Sequence, residues 1–379
     1  MANLPIHFRG VVLGPSGFAQ EGREWLAALE AAGFAASLEG ASLGALDAPL
    51  PPGDQERVAR CAARPRCRGG TTFHHMLIPH AVPDPRAARN VLHTLFETDD
   101  LPEEWVPRLR AFDLLVVPSE HQRGVFARAG VAPERLAVLP PPLRTDQAVR
   151  GDPERAADPP RPGGARPFRW LSVFDWSLRK GHDVLLRAFA RAFRAGEAEL
   201  VLKVLPGRHA QAALQEHCDG VVRANARGTP PRVQVLQAVV DDRRCDSLYR
   251  CADAFVLASR GEGWGRPVHE ALLHALPTVT TAGGTLAEVM PPHAGFAVRA
   301  SRVPVSAEAA AETPCFAGLH WWEPDVEDLA AQMRAVYEDL PAARQRAWRG
   351  REHGLWLCER GRIAERLRAI LAAVPRAVV

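Results

Sequence analysis

The segment Pro140–Pro167 constrains the fold of this chain more than any other stretch, because it gathers eight prolines with Gly151, Gly163 and Gly164 into one polar, charged run. Proline has no backbone N–H to donate and fixes its own φ, so neither a sheet ladder nor a long helix crosses such a run. The chain therefore reads as two separately folded arrays, with 151–167 as the linker between them. At 379 residues, 47% hydrophobic and 24% charged, it is long enough for two cores and has an ordinary globular composition.

Both arrays alternate apolar runs with amphipathic stretches. In the first, Val11–Gly14 ends a strand, Pro15–Phe18 turns, and Glu21–Ala32 carries Trp25, Leu26 and Leu29 at helical spacing. Thr71–His75, Asn90–Thr98 and Asp113–Ser119 supply further strands, each delivering polar residues at its carboxyl end. In the second array Phe168–Phe174, Glu199–Leu205, Val233–Gln237, Asp253–Ala258 and Pro277–Thr281 read as five strands with helices between, and a helical stretch runs from Asp325 to Val374. Strands that alternate with helices form a parallel sheet covered on both faces, and ligands bind such sheets at the carboxyl edge of the strands. The expected class is α/β, with two doubly wound, Rossmann-like sheets.

Chemistry concentrates in Arg260–Ala271, where Glu262 and Glu270 stand eight positions apart around a glycine-rich loop and the helix after it. Gly261, Gly263 and Gly265 keep the loop backbone accessible, and Pro267 suits a first helical position. A helix start offers free N–H groups and partial positive charge to a phosphate, while a carboxylate accepts two sugar hydroxyls. A glutamate near a helix start and a glycine-rich turn each occur in doubly wound folds without this ligand. Together they fit a nucleotide-sugar.

These residues resemble the retaining glycosyltransferases of the GT-B fold, specifically the family 4 group, whose signature is Glu, seven residues, Glu. The resemblance extends to Trp170–Phe189, where Arg179-Lys180-Gly181 is similar to the family's diphosphate-binding turn. Many relatives carry a second arginine near the end of the preceding strand; here the nearest positions are Phe174 and Asp175, and Arg179 is the candidate substitute. His320-Trp-Trp-Glu-Pro324 resembles the family's Trp-x-Glu-Pro region, and its aromatics are read as packing. The resemblance implies an acceptor-binding domain at 1–150, a donor-binding domain at 168–354, an interdomain active site, and a terminal helix at 355–379 crossing back to the first domain.

It also implies roles. Lys180 and Arg179 would hold the donor diphosphate with the backbone of Gly263, Trp264, Gly265, Arg266 and Pro267; Glu270 would hold the ribose and Glu262 the hexose hydroxyls. Glu97, in Phe96-Glu-Thr98, stands where many members have Phe-His-Thr, and Leu101–Trp105 fits a subgroup with the glutamate. It would orient the acceptor hydroxyl or the donor sugar. Glu97, Glu262 and Lys180 are thus the catalytic candidates. Gly14, Ser16 and Gly17 form a turn able to meet the diphosphate or acceptor, and His74 and His75 end a strand near it. By strand alternation His93 and Glu97 share a face. Phe73, Met76, Leu77 and Ile78 would suit an apolar acceptor.

The activity so implied is transfer of a hexose, with UDP-glucose the first donor and GDP-mannose the second, to a small-molecule, lipid-linked or saccharide hydroxyl. No cofactor and no metal is expected, since Asp99-Asp100 and Asp241-Asp242 lack a spaced partner. The alternatives are a nucleotide-sugar epimerase of the same fold, which needs further acid and base carboxylates, and a non-catalytic nucleotide-sugar binder. A nicotinamide dehydrogenase is disfavoured because Gly14-Pro-Ser-Gly17 lacks Gly-x-Gly-x-x-Gly spacing.

Net charge is +3, too small to argue for nucleic acid as a partner. Arg344–Arg376 holds nine arginines against Glu352, Glu359 and Glu365, which makes an anionic membrane surface a candidate peripheral contact. Seven cysteines without a Cys-x-x-Cys pair fit a reducing compartment, and the opening residues lack a basic start followed by an apolar core, so a cytoplasmic location is expected.

Overall fold

The computed structural model describes residues 4–43, 49–67, 69–144 and 166–373. Positions 151–165 of the expected linker, and Val374 at the end of the expected helical stretch, lie outside them. The chain divides into two compact units: one of residues 1–96, 100–146 and 356–379, the other of Glu97–Asp99 and Gln147–Leu355.

The first unit runs β1 (Leu4–Leu13), α1 (Gly17–Ala31), β2 (Phe34–Ser42), α2 (Pro52–Ala62), β3 (Thr71–His75), β4 (Arg89–His93), α3 (Val106–Leu109), β5 (Leu114–Val117), α4 (Glu120–Arg128) and β6 (Leu136–Val138). Its six strands pair in the order β2-β1-β3-β4-β5-β6, all parallel. The direction of winding reverses between β1 and β3, and the turns that follow these strands flank that switch point.

The second unit runs β7 (Phe168–Phe174), α5 (His182–Ala192), β8 (Ala198–Val204), α6 (Gln211–Asn225), β9 (Arg232–Gln237), α7 (Asp242–Arg250), β10 (Ala254–Leu257), α8 (Arg266–Leu273), β11 (Thr278–Thr281), α9 (Thr285–Val289) and β12 (Phe296–Val298). Its six-stranded parallel sheet has the order β12-β11-β10-β7-β8-β9, so its switch point lies between β7 and β10. A hairpin of β13 (Ala300–Pro304) and β14 (His320–Pro324), with α10 (Ala307–Glu312) between, follows the sheet. Next come α11 (Val326–Glu338), α12 (Leu340–Cys358) and α13 (Arg360–Ala373).

The helical spacing of Trp25, Leu26 and Leu29 has its expected consequence: all three are fully buried, among Phe8, Phe73, Val91 and Val116. Ile363, Leu367 and Leu371 of α13 complete that same core, so the last helix is part of the first unit's interior. Asn90–Thr98 is not one strand. The strand ends at His93, the Thr94 N–H donates once more to the Val116 carbonyl at 3.2 Å, and at Phe96 the partner is Gln122 of α4, which accepts from the N–H at 3.0 Å and donates to the carbonyl at 2.7 Å. Strand alternation therefore does not carry from His93 to Glu97, which belongs to the other unit. Phe73 and Ile78, taken above as an acceptor surface, are core residues instead.

Candidate functional site

The second unit's switch point is built by two turns pressed against each other. After β7 the chain makes a single 3-10 turn, Leu178–Lys180, and enters α5 through Gly181 at φ 64°. A side chain is excluded there twice over: the left-handed backbone disfavours it, and an added Cβ would lie 1.9 Å from the Ala258 carbonyl oxygen. With no Cβ in the way, the turn after β10 closes onto it. The Arg260 N–H donates to the Arg179 carbonyl at 2.8 Å, and the Arg179 guanidinium returns a bond to the Gly261 carbonyl at 2.7 Å. Gly261 is equally constrained, since a Cβ on it would lie 1.9 Å from the Glu97 carbonyl oxygen.

This closure brings the charged candidates together. Lys180 Nζ donates to Glu262 Oε1 at 2.6 Å, and Glu262 Oε2 lies 3.8 Å from Arg179 Nη1. Arg179 Nη2 is in turn 3.8 Å from Glu97 Oε1. Lys180 and Glu262 are both buried. Burial works against ionisation of Glu262, but the charges of Lys180 and Arg179 and the lysine hydrogen bond outweigh it and hold its carboxyl below the ordinary glutamate range. The same logic raises Arg179: desolvation opposes its charge, and Glu97, Glu262 and Asp175 more than restore it. The result is a patch of two cations and two carboxylates, with Lys180 and Glu262 buried and Arg179 and Glu97 partly exposed, beside the carboxyl ends of the switch-point strands.

Glu270 lies close by in sequence on α8, entered through Gly265 at φ 80° with Pro267 in its first turn. It sits one position beyond the opening turn where the sequence placed it, on the fifth helical residue. Its Oε2 accepts from the Tyr249 hydroxyl at 2.8 Å and its Oε1 from Arg266 Nε at 2.8 Å. Each oxygen retains a lone pair, and the side chain keeps 23% exposure, so the carboxylate is oriented by its partners and still able to accept hydroxyls. Tyr249 is itself buried. Desolvation first, and the neighbouring Glu270 charge second, push its phenol well above the usual range, so it stays a donor.

Trp264 is 4% exposed, and its ring stacks on buried His269 at 4.5 Å. The first unit's two histidine candidates are buried. His74 is fully buried, its Nε2 2.9 Å from Asn90 Oδ1 and its ring edge-on to Phe112. His75 is also fully buried, paired with His93 and the Phe18 carbonyl. Ser16 is the N-cap of α1, its hydroxyl oxygen accepting from the Ala19 N–H at 3.1 Å. Gly14 turns the chain at φ 93° and Gly17 starts the helix.

Two residues escaped sequence reading. Arg260, 6% exposed, bonds Asp183 through both terminal nitrogens, Glu323 through Nε and Nη2, and the Leu178 carbonyl, and its guanidinium lies 5.3 Å from the Trp321 ring centroid. It ties both turns to the β14 strand. Its partners are 77 and 63 positions away, beyond the reach of any local pattern. Tyr249 is 21 positions before Glu270, and the one available signal was that the chain has only two tyrosines against 14 phenylalanines.

Residues 169–314 match the family model described as glycosyl transferases group 1. No curated protein sequence matches the chain. Among solved structures, Anabaena HepE in complex with UDP and glucose superposes with a TM-score of 0.67 at 13% identity, covering 98% of this chain and 100% of that one. Sucrose-phosphate synthase from Thermosynechococcus elongatus gives a TM-score of 0.66 at 18% identity over 98% and 100%. WaaG, a glycosyltransferase involved in lipopolysaccharide biosynthesis, gives 0.62 at 15% over 97% and 100%. The chain thus has the GT-B fold of these glycosyltransferases along its whole length, and residues 169–314, which span the second sheet, are similar to the glycosyl transferases group 1.

Proposed function

We propose that the protein is a retaining, metal-independent hexosyltransferase that uses a nucleotide-diphosphate sugar, UDP-glucose first and GDP-mannose second, and a hydroxyl acceptor. The observation that carries this reading is the buried Lys180–Glu262 pair at the switch point, with Arg179 beside it. A lysine already desolvated and charge-compensated is ready to follow negative charge as it builds on a departing diphosphate, where a transferase needs most help. Arg179 takes the place of the arginine that relatives carry earlier. The backbone from Gly263 to Pro267 faces the phosphates, Glu270 accepts the ribose hydroxyls, and Glu262 accepts hexose hydroxyls as Lys180 turns toward the diphosphate. Glu97, 3.8 Å from Arg179, is placed to orient a reacting hydroxyl. The bond from the sugar's anomeric carbon to the diphosphate breaks, and the acceptor oxygen bonds on the same face without a covalent enzyme intermediate, its proton passing to the departing diphosphate oxygen.

The UDP-bound neighbours favour uridine as the base. Acceptor recognition is assigned to loops of the first unit, including Gly14 and Gly17. Among the described residues no helix is long and apolar enough to cross a membrane, which is compatible with a cytoplasmic enzyme touching a membrane surface through its arginine-rich last helices. A thermal-shift panel of UDP, GDP, ADP and TDP sugars tests the donor, because a ligand of the native state raises Tm by mass action. A shift with UDP-glucose in the wild type that is lost in Glu270→Ala is the expected result; no shift with any nucleotide-sugar would end the reading. Donor incubated without acceptor separates the epimerase alternative, which would yield a new sugar nucleotide.

A further inference from the structure

The first unit's switch point carries a different cluster. His75 ends β3, His93 ends β4, and Glu21 lies in the second turn of α1, immediately after the Gly14–Gly17 turn. One donor atom from each of the three lies within 4.8 Å of the others. His75 Nδ1 and His93 Nδ1 are 3.1 Å apart, and His93 Nδ1 is 3.6 Å from Glu21 Oε1. Neighbouring donors around a tetrahedral zinc ion with bonds near 2.0–2.1 Å stand about 3.3 Å apart, so both spacings are those of ligands sharing one ion. We propose that Glu21, His75 and His93 bind one divalent transition-metal ion of the zinc class, a structural ion that pins α1 to the carboxyl ends of β3 and β4.

Four further observations support this. The Phe18 carbonyl can only accept, so His75 Nε2, 2.9 Å away, carries the proton and His75 Nδ1 presents a lone pair to the cluster. A ring nitrogen that binds metal while the other donates to a backbone carbonyl is the usual support for a histidine ligand. Burial keeps both imidazoles unprotonated, lowering His75 to about 4 and His93 well below its ordinary value, and neutral imidazole is the form that binds metal. The rings are clamped: Phe18 stacks on His75 at 4.0 Å and Trp25 packs on His93 at 4.7 Å. Gly22 lets α1 come this close, since a Cβ there would lie 2.0 Å from the Val11 carbonyl oxygen and 2.9 Å from His75 Cδ2.

A carboxylate can lend both oxygens, so three side chains supply four donors, two nitrogen and two oxygen. Two imidazoles and a carboxylate suit zinc better than magnesium or calcium, which take oxygen. The aromatic walls leave no open face for substrate, so the ion is structural, and the metal-independent reading of sugar transfer in the second unit stands apart from it.

The test uses the full chain without a polyhistidine tag, expressed with zinc and analysed by elemental mass spectrometry. About one ion per chain is expected in the wild type, falling to near zero in His93→Gln and Glu21→Gln, while His74→Gln, a buried histidine outside the cluster, keeps the wild-type content. Chelator-stripped wild type should regain several degrees of Tm on adding zinc. Should the variants fail to fold, wild type loaded with cobalt reports alone, through the visible spectrum of a tetrahedral cobalt ion. Folded wild type that takes up no stoichiometric metal and shows no such spectrum, or folded variants that keep the wild-type metal, would overturn the proposal and leave a buried polar cluster without an ion.

Discussion

Each six-stranded parallel sheet has one reversal of winding, and the two reversals carry different side chains. At the second, Lys180, Arg179, Glu262 and Glu97 each have an opposite charge within 3.8 Å, and those neighbours favour the charged forms of Arg179 and Glu262 against burial. At the first, His75 and His93 are held neutral by burial, with the Glu21 carboxylate 3.6 Å from His93. The lesson is that a doubly wound sheet supplies a place and not a chemistry. The residues at the strand ends decide whether that place handles charge or holds the fold.

The largest test of this contrast is Lys180→Ala. Losing a cation aimed at developing charge should lower kcat by about 10²–10³-fold with a verified donor and acceptor. A full rate in that variant would remove the charged switch point from the chemistry. Next in size is Gly181→Ala, which meets both the left-handed φ and the Ala258 carbonyl; denaturant unfolding of the second unit should show a loss of about 3 kcal/mol. Stability equal to wild type would mean that the two turns are not packed as described. Arg260→Met should cost about 2 kcal/mol in the same measurement, less than a fully buried pair, because the Asp183 and Glu323 carboxylates keep about a third of their exposure and can hydrate.

The smallest effect concerns acid. His182 and His269 are lowered by burial to about 4 and about 3, so between their ordinary value and those limits the unfolded chain binds more protons than the folded one. Stability of the second unit should therefore fall as pH drops below 6.5, by at most about 1.4 kcal/mol per pH unit for each histidine. Glu262 behaves otherwise: its depressed carboxyl contributes above its unfolded value, and that contribution is lost only as pH falls through the lower folded value. His182→Phe should flatten the slope between pH 6.5 and 5, and an unchanged slope would assign acid sensitivity elsewhere.

Much of the fold was legible because strand spacing and helix periodicity are local. Five strands of the second sheet fall within a residue or two of where apolar runs placed them. The sixth, Phe296–Val298, has three residues, and Phe34–Ser42 in the first unit is rich in alanine and serine, so neither carries a clear β pattern. At the candidate site, Lys180 and Glu262 stand 82 positions apart, and it was their motifs, not any spacing between them, that suggested they belong together. What the sequence could not indicate was orientation. Trp264, on the glycine-rich loop, is a core ring by packing, and the His74-His75 pair at the end of its strand is fully buried. Burial of a side chain depends on partners distant in sequence, and none of those is encoded locally.

The participation of Ile363, Leu367 and Leu371 in the same core as Trp25 and Leu29 has a consequence for biosynthesis. The ribosome releases the first unit's sheet early, yet the part of this core that α13 supplies against α1 is missing until that helix emerges some three hundred residues later. The portion made first is thus the portion finished last. Nascent chains stalled before α13 would expose that part of the core to chaperones, and loss of the final helix would harm the opposite end of the polypeptide from the one cut.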